Sequence, residues 1–301
     1  MTLWSPYHEG ELAMQTRAGV VETARQAAIR IHDRLPANAL PYIAQQEMAV
    51  FGSLDTYGEV WASVLFGHAG FLTARDTQTL DLQRNGCHTA SGDPLWQNLD
   101  QDPRLGILLI ELHSRRRLRI NGRVRGITGN EYCIGVERAY ANCPRYIQRR
   151  YLIPPAPGGT APVPAHRTGR CLDTMQQAWI GNADTCFVAS AHPSQGADAS
   201  HRGGQPGFIT VLSPQRLRIP DFAGNNMFNT LGNFISYPHA GLTFIEFERR
   251  RILQLTGVPA PLENEPDRPV KTGGPTRYWE FEIMTWRESD LPPSLQWQPL
   301  A

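Results

Sequence analysis

The chain has 301 residues, of which 41% are hydrophobic and 19% charged, and its formal net charge is +1. This balance indicates a globular protein with room for two cores, and it gives no reason to expect a nucleic-acid or acidic-membrane partner. No apolar run approaches the roughly 18–20 residues that span a bilayer, and residues 1–15 lack the apolar core of a signal peptide. We therefore expect a cytoplasmic protein without a membrane partner.

Helical patterns come first along the chain. Apolar residues at helical spacing predict a helix over residues 10–34, which Pro36 ends, and a second short helix over 41–47. From residue 49 onward, short apolar runs between Gly, Pro, Asn and Asp predict strands. The candidates are residues 49–53, 61–65, 70–74, 79–82, 106–112, 117–123 and 131–137. A Pro- and Gly-rich stretch over 154–164 predicts a linker, and new strand-like runs begin near Cys186.

The two series of strands repeat each other. The tripeptide at 51–53 matches that at 188–190, an offset of 137 residues from Ser53 to Ser190. The same offset pairs Ser63 with Ser200, Gly67 with Gly204, and residues 70–73 with 207–210. Further matches in the same order are 96–99 with 228–231, 106–111 with 241–246, 118–122 with 253–257, and 131–134 with 280–283. An ordered set of this length predicts a tandem duplication.

Each half thus holds about six short strands and one helix-like connection. Antiparallel strands in this number usually close into a small barrel, and two copies can pack as a pseudo-two-fold pair. The predicted domains are a helical extension over 1–47, a first barrel over 48–153, a linker over 154–178 and a second barrel over 179–301. Two independent barrels without a shared site remain the alternative.

The two halves differ in chemistry at one place. The second half reads Ser200-His201-Arg202-Gly203-Gly204, whereas the matching stretch, 63–67, is Ser-Val-Leu-Phe-Gly. A cation, a hydroxyl and the bare amides of glycine suit a phosphate, and arginine is almost the only basic residue of this chain. The Asn-rich stretch 224–233 covers the start of the helix-like segment, and the free N–H groups at the start of a helix attract anions. A phosphorylated ligand in the second half is predicted; a plain turn and Asn capping are the alternatives.

These motifs together resemble a known family. Tyr7-His8-Glu9-Gly10-Glu11 with Gln15, and the stretches 117–122, 142–150, 198–208 and 224–233, are similar to the pyridoxamine 5′-phosphate oxidase-related FMN-binding proteins, in particular the flavin-nucleotide-binding group. The resemblance covers nearly the whole chain. It implies a mainly β fold with flanking helices (α+β), made of two tandem split β-barrels packed as a pseudo-two-fold pair, with FMN bound between barrels.

The resemblance also implies which residues bind FMN. Ser200 and Arg202 would contact the phosphate, and Gly203 and Gly204 would allow close backbone approach. The remaining candidates are His201, either beside the flavin or a structural hydrogen-bonder; Phe208, Ile209 and Thr210 beneath the ring; Asn226, Thr230 and Asn233 in the second motif; and Arg119 (or Arg149), Tyr146 and Gln148 from the first half. Relatives often carry basic residues where this chain has Met227 and Gly232, so Arg202 would carry more of the charge.

The expected function is an FMN-dependent oxidoreductase that acts on a small-molecule substrate or takes electrons from a nicotinamide donor. A flavin carrier or sensor without turnover, and a split barrel that binds haem, are the alternatives, and a homodimer remains open. No catalytic residue is assigned. His8 with Glu9 and Glu11 suits a helix start with exposed carboxylates better than a metal site. The five cysteines are widely spaced, which favours buried thiols over zinc ligands.

Overall fold

The computed structural model describes residues 5–141, 143–153, 166–262, 277–292 and 294–300. Within these ranges the helices are α1 Glu9–Arg17, α2 Val21–Ala27, α3 Leu40–Ala44, α4 Leu95–Gln101, α5 Thr174–Asn182 and α6 Asn229–Ser236. Short 3-10 turns cover Ala28–Arg30, Ala37–Ala39 and Arg84–Gly86. Among the described helices, none is long and apolar enough to cross a membrane.

The prediction of one helix over residues 10–34 is wrong. The segment divides into α1 and α2, because Gly19 adopts a left-handed φ of 66° and turns the chain. The spacing of the apolar residues continues across this break, although not all of them are buried: Met14 and Ala24 are buried, whereas Leu12 and Val21 are exposed. The short helix predicted over 41–47 is α3.

The first half forms one eight-stranded antiparallel sheet. Its strands are β1 Met48–Leu54, β2 Val60–Gly67, β3 Leu72–Ala74, β4 Thr79–Gln83, β5 Cys87–His88, β6 Arg104–Glu111, β7 Arg116–Thr128 and β8 Glu131–Ala141. They are hydrogen-bonded in the order β3-β4-β8-β7-β6-β1-β2-β5. β9 Arg150–Ile153 lies outside this sheet and pairs with a strand at the C-terminal end.

The second half repeats this arrangement. Its strands are β10 Arg167–Gly169, β11 Thr185–His192, β12 Gly196–Gly203, β13 Thr210–Ser213, β14 Arg216–Asp221, β15 Ala240–Glu246, β16 Arg251–Pro261 and β17 Arg277–Asp290, and β18 Gln296–Pro299 pairs with β9. The sheet order is β13-β14-β17-β16-β15-β11-β12, with β10 added beside β17. Replacing each strand by its first-half counterpart gives the first-half order.

Strand registers follow the predicted offset of 137 residues. In the β1–β2 hairpin Phe51 pairs with Ser63, and in the β11–β12 hairpin Val188 pairs with Ser200. The next strands agree with the predicted matches at an offset of 135 residues, since Ile107 opposes Ile120 while Leu242 opposes Leu255. The duplication read from the sequence is therefore present in the hydrogen-bond ladders.

The match predicted for the closing strand is wrong by two residues. Leu80 opposes Ile134 in the first half, and its counterpart Leu217 opposes Phe281. Ile134 thus corresponds to Phe281 and not to Ile283. A shift of two residues keeps every side chain on the same face of a strand, so the apolar pattern cannot distinguish the two alignments.

The two sheets pack against each other through reciprocal contacts. A Cβ atom on Gly106 of β6 would overlap the backbone of Asp198 in β12, and one on Gly241 of β15 would overlap the backbone of Trp61 and Ala62 in β2. Strand β2 of the first half and strand β12 of the second half therefore each pack against the opposite sheet. Glycine permits this close approach of the two backbones.

The predicted linker over 154–178 is only partly described. Residues 154–165 lie outside the described ranges. Beyond them, β10 pairs with β17, and α5 begins at Thr174 with Asp173 as its N-cap. The end of the predicted linker at residue 178 therefore falls within α5. The short strand β10 has no apolar run that would mark it in the sequence.

Candidate functional site

A cavity of about 110 Å³ lies where the two halves meet. The first half contributes β7 and the segment that follows β8, and the second half contributes β12, the loop 221–228 and the start of α6. The cavity is therefore built from residues that are far apart in sequence. It contains the second-half stretch that the sequence singles out for an anion.

Positive charge dominates the described wall of this cavity. Five arginines line it (Arg117, Arg119, Arg145, Arg202 and Arg277), against the single carboxylate of Asp221. Asp221 lies 3.8 Å from Arg202 and 3.3 Å from Arg277. Arg119 is engaged from behind by a buried ion pair with Asp198. The net positive charge that remains favours an anionic ligand.

Three buried nitrogen atoms of the cavity wall have no hydrogen-bond partner among the described residues: Arg117 Nε, Arg202 Nε and His201 Nε2. Burial, reinforced by the charges of Arg119 and Arg202, lowers the pKa of Arg117 to about 10. Burial and the neighbouring arginines hold the pKa of His201 well below its ordinary value, so the ring is neutral. Buried polar groups usually have a partner, and these nitrogens fit a ligand that accepts hydrogen bonds.

The first turn of α6 adds backbone donors. Asn229, Thr230 and Leu231 line the cavity, and Phe228, at the N-cap, provides no side-chain acceptor for this helix. Thr230 Oγ1 and Ser200 Oγ are 3.2 Å apart, so two hydroxyl groups lie beside the helix start. An uncapped helix start with hydroxyls and arginines around it can bind a phosphate or a similar anion.

Eight of the predicted ligand residues line the cavity. They are Arg119, Tyr146, Ser200, His201, Arg202, Gly203, Asn226 and Thr230. Tyr146 stacks on Phe222 with ring centroids 5.0 Å apart, and its hydroxyl donates to the carbonyl of Ala223. This pair gives the cavity a flat aromatic border.

The other predicted ligand residues have partners within the protein. Phe208 and Ile209 belong to the core of the second sheet, and Thr210 is exposed on β13. Asn233 donates to Ser190 Oγ and contacts His8 Nε2, while Gln148 donates to the carbonyl of Gly204. These contacts locate all five behind the cavity or away from it.

The two glycines also serve the protein's own packing. A Cβ atom on Gly203 would overlap the carbonyl oxygen of Tyr146, and one on Gly204 would lie 2.7 Å from Cβ of Phe208. The close approach that the sequence suggests is therefore an approach of the chain to itself. Gly203 still lines the cavity.

Sequence reasoning missed several residues of the wall. The clearest is Arg117, which donates to the carbonyl of Cys143 and lies two positions before Arg119 on β7. Strand alternation places residues 117 and 119 on one face, so this signal was present in the sequence. Arg149, the alternative to Arg119, is exposed and donates to the carbonyl of His113. Arg145, Phe222, Phe228 and Arg277 had no such signal.

The corresponding place in the first half is occupied by a side chain of the protein itself. Asp93 accepts hydrogen bonds from Ser63 Oγ at 2.6 Å, from the Leu95 N–H at 2.9 Å and from Gln254 Nε2 at 2.8 Å. Leu65 replaces Arg202 in this half, but Ser63, two positions before it, donates to a carboxylate.

Each partner of Asp93 has a counterpart at the cavity. Ser63 corresponds to Ser200, and Gln254 to Arg119, by the strand registers. The helices α4 and α6 are aligned by matching hydrogen bonds, from Asn98 to Ser53 and from Asn233 to Ser190. The predicted match of 96–99 with 228–231 is therefore wrong by three residues, since Asn98 corresponds to Asn233 and not to Thr230. Asp93 then corresponds to Phe228, which has no acceptor group. The second half keeps the donors but has no carboxylate at the position of Asp93.

His8, Glu9 and His192 also lie close together, at the start of α1. His8 Nδ1 accepts from the Gly10 N–H and its Nε2 contacts Asn233, while His192 Nε2 contacts Glu9. Both rings therefore have partners in the protein, and His8 acts as a helix cap. The expectation of exposed carboxylates holds for Glu9 but is wrong for Glu11, which is only 2% exposed.

Comparison with known proteins gives no family assignment. No family model matches the chain, and no curated protein matches it. Solved structures that resemble it include a provisionally assigned pyridoxamine 5′-phosphate oxidase from Lactobacillus delbrueckii, with 15% identity and a TM-score of 0.32 over 39% of this chain and 94% of that one.

Two further solved structures resemble the chain to a similar degree. An FAD-binding protein from Mesorhizobium loti has 11% identity and a TM-score of 0.27, over 42% of this chain and 99% of that one. An F420 reductase has 11% identity and a TM-score of 0.23, over 35% of this chain and 95% of that one. Function is therefore argued below from the cavity itself.

Proposed function

We propose that the protein is an FMN-binding flavoprotein related to pyridoxamine 5′-phosphate oxidase, and that it is an oxidoreductase. In this proposal the sheets of residues 48–153 and 179–301 are two split barrels packed as a pseudo-two-fold pair. One observation carries the proposal. The second half offers a hydroxyl, free helix N–H groups and arginines at the place where the first half binds its own Asp93 carboxylate.

The charges and donors fit the phosphate of FMN. A phosphate monoester carries a charge between about −1.5 and −2 at pH 7 and has three strong acceptor oxygens. Arg117, Arg202 and His201 present unpartnered buried nitrogens, and Ser200 presents a hydroxyl. Charge-assisted hydrogen bonds from arginine to phosphate are among the strongest available to a protein.

The size of the cavity fits the phosphate end of FMN and not the whole molecule. Pockets that enclose a small molecule usually measure roughly 300–1,000 Å³, whereas this cavity measures about 110 Å³. In our proposal the flavin ring extends towards the aromatic border formed by Tyr146 and Phe222. Stacked aromatic side chains provide a flat apolar surface of the kind that binds a planar ring.

FMN, when bound, supplies the transfer of hydride or single electrons, and the protein binds and orients it. The residues of this chain would hold the phosphate through Arg202, Arg117 and Ser200. The substrate is an unidentified small molecule, with a reduced nicotinamide as a candidate electron donor.

Titration with FMN tests the proposal. The wild-type protein should bind FMN with quenching of flavin fluorescence. Arg202→Ala should weaken binding by about 10- to 150-fold, since one charge-assisted bond contributes about 1.5–3 kcal/mol. Arg216→Ala is the matched control, because Arg216 is exposed on β14 outside the cavity and should leave affinity unchanged. Unchanged affinity in Arg202→Ala would overturn the assignment.

A second experiment separates an oxidoreductase from a flavin carrier. Reduced nicotinamide added to the FMN-loaded protein should bleach the flavin absorbance, and an electron acceptor should restore it repeatedly. A protein that binds FMN but shows no bleaching with nicotinamides or small-molecule substrates would be a carrier or sensor. Absorbance bands of haem instead of flavin would reject both.

A further inference from the structure

Helix α1 packs directly on helix α6, whose first turn lines the cavity. A Cβ atom on Gly10 would overlap the carbonyl oxygen of Gly232, and one on Gly232 would lie 2.6 Å from the backbone nitrogen of Glu11. The two backbones are therefore in contact at this crossing. The Tyr7–Glu11 motif, which the FMN proposal leaves without a role, lies at the contact.

Three side chains of this N-terminal segment bind the α6 region. Asn229 Nδ2 donates to Glu11 Oε1, and Gln15 Nε2 donates to the carbonyl of Met227 at 3.1 Å. The third contact joins His8 Nε2 to Asn233 Oδ1 at 3.0 Å. All three are buried and link residues more than 200 positions apart in the chain.

The turn before α6, which these contacts hold, has an unfavourable backbone conformation. Asn226 and Phe228 both have a left-handed φ, of 61° and 60°, which costs conformational energy in residues other than glycine. Asn229 follows immediately and lines the cavity. Contacts that fix this turn also fix the direction in which the first N–H groups of α6 point.

We infer that Glu11 is a positioning residue of the anion site: it orients Asn229 and the start of α6, and its ionisation weakens anion binding. This inference rests on the proposed anion site of the second half. Glu11 does not itself line the cavity; it acts through the wall residue Asn229, whose side chain donates to it.

The surroundings of Glu11 give its charge a predictable effect. It faces His8 and Tyr7 from the N-terminal segment, Asn229 from α6, Arg119 from β7, and Arg138 and Tyr140 from β8. Burial raises the pKa of Glu11 to about 7. Above that pH a negative charge lies behind the anion site, and below it the charge is absent, so affinity for an anion should fall as pH rises through 7.

The pKa values of His8 and His201 lie below the pH range in which Glu11 changes charge. Burial and the neighbouring His192 lower the pKa of His8 to about 4, and the pKa of His201 lies well below its ordinary value. Neither changes charge between pH 6 and 8. Sulfate is therefore a suitable probe, since it remains a dianion over this range whereas phosphate takes up a proton.

Sulfate affinity at pH 6 and pH 8 tests the inference, by calorimetry on wild type, Glu11→Gln, Glu11→Ala and the control Glu9→Gln. Glu9 lies on the same turn, but its side chain is 77% exposed, and its partners His192 and Ser236 do not line the cavity. At pH 6, Glu11→Ala should bind about tenfold more weakly, while Glu11→Gln, which keeps an acceptor for Asn229, should stay within about twofold of wild type. At pH 8 wild type should bind at least about threefold more weakly than at pH 6, and Glu11→Gln should not.

Several outcomes would overturn the inference. Equal sulfate affinity of Glu11→Ala and wild type at pH 6 would remove the positioning role, and a wild-type pH profile in Glu11→Gln would remove the charge effect. Should Glu11→Ala fail to fold, the Glu11→Gln profile still decides. Sulfate binding that survives in Arg202→Ala would lie elsewhere and defeat the inference, whereas a wild type that binds sulfate but not FMN would defeat only the proposed function.

Discussion

Replacing Phe228 by aspartate should convert the cavity into a copy of the first-half site. Phe228 corresponds to Asp93, whose carboxylate accepts three hydrogen bonds in the first half. The new carboxylate would lie near Ser200 and the N–H of Thr230. Phe228 has a φ of 60°, a conformation that aspartate tolerates better than most residues. The variant should therefore fold and satisfy its anion site internally.

The expected effects on stability nearly cancel. An aspartate at a helix N-cap contributes about 1 kcal/mol. The substitution removes the contact of the Arg277 guanidinium with the Phe228 ring, 4.8 Å from its centroid, a loss of about 0.5–1 kcal/mol. Some apolar burial is lost as well, since Phe228 is half-buried. We expect the free energy of unfolding to fall by about 1 kcal/mol, because the two losses together slightly exceed the gain from the cap.

The effect on anion binding should be far larger. Two unit charges 4 Å apart repel each other by about 4 kcal/mol at an effective dielectric constant of 20, which corresponds to roughly a thousandfold in affinity. Phe228→Asn is the matched control, because asparagine has the same shape without the charge. Titration with FMN at pH 7 should show a roughly thousandfold loss for aspartate and at most a tenfold loss for asparagine. Equal affinities of the two variants would refute the equivalence of Phe228 and Asp93.

Two further predictions concern the first half. Burial raises the pKa of Asp93 to about 6, so the native carboxyl holds its proton more tightly than in the unfolded chain, and the stability that it contributes falls as pH rises from 4 to 6. Urea unfolding should therefore show the stability difference between wild type and Asp93→Asn shrinking by up to about 3 kcal/mol from pH 4 to pH 7; a constant difference would contradict this. Leu65→Ala, at the fully buried counterpart of Arg202, should cost about 2–5 kcal/mol of stability and leave FMN affinity unchanged, and a loss of affinity in the folded variant would contradict the separation of the two sites.

Much of the sheet arrangement could be predicted because the sequence contains two copies of the same strand pattern. The offset that aligns Ser53 with Ser190 also gives the hairpin registers of both halves. Where the repeat carries only alternating apolar residues, as around Ile134 and Phe281, a slip of two positions leaves no trace in the pattern. The helix break at Gly19 escaped detection because apolar residues continue at helical spacing on both sides of it, although Leu12 and Val21 are exposed.

The site was predictable where one stretch carried all of its chemistry. Ser200, His201 and Arg202 are adjacent in sequence, and all three line the cavity. Other wall residues, such as Arg277 and Phe222, reach it only through the fold, so no local pattern marks them. Asn233 is the opposite case. Its amide lies in a polar motif and was predicted to bind the ligand, but it contacts Ser190 and His8 within the protein.

The role of Asp93 lay beyond sequence reasoning for a geometric reason. Its partners, Ser63 and Gln254, are separated by almost two hundred residues, and Gln254 belongs to the other half. Only the packed pair of sheets brings them together. In our proposal, the contrast between Asp93 and Phe228 is the reason that the second half has an open anion site and the first does not.

Mass spectrometry of the small molecule released from the purified, denatured protein tests the central claim most directly. We predict FMN, and after saturation with FMN one molecule for each chain, because Asp93 occupies the equivalent place in the first half. Release of haem, or a saturated protein that carries no phosphorylated ligand, would contradict the account.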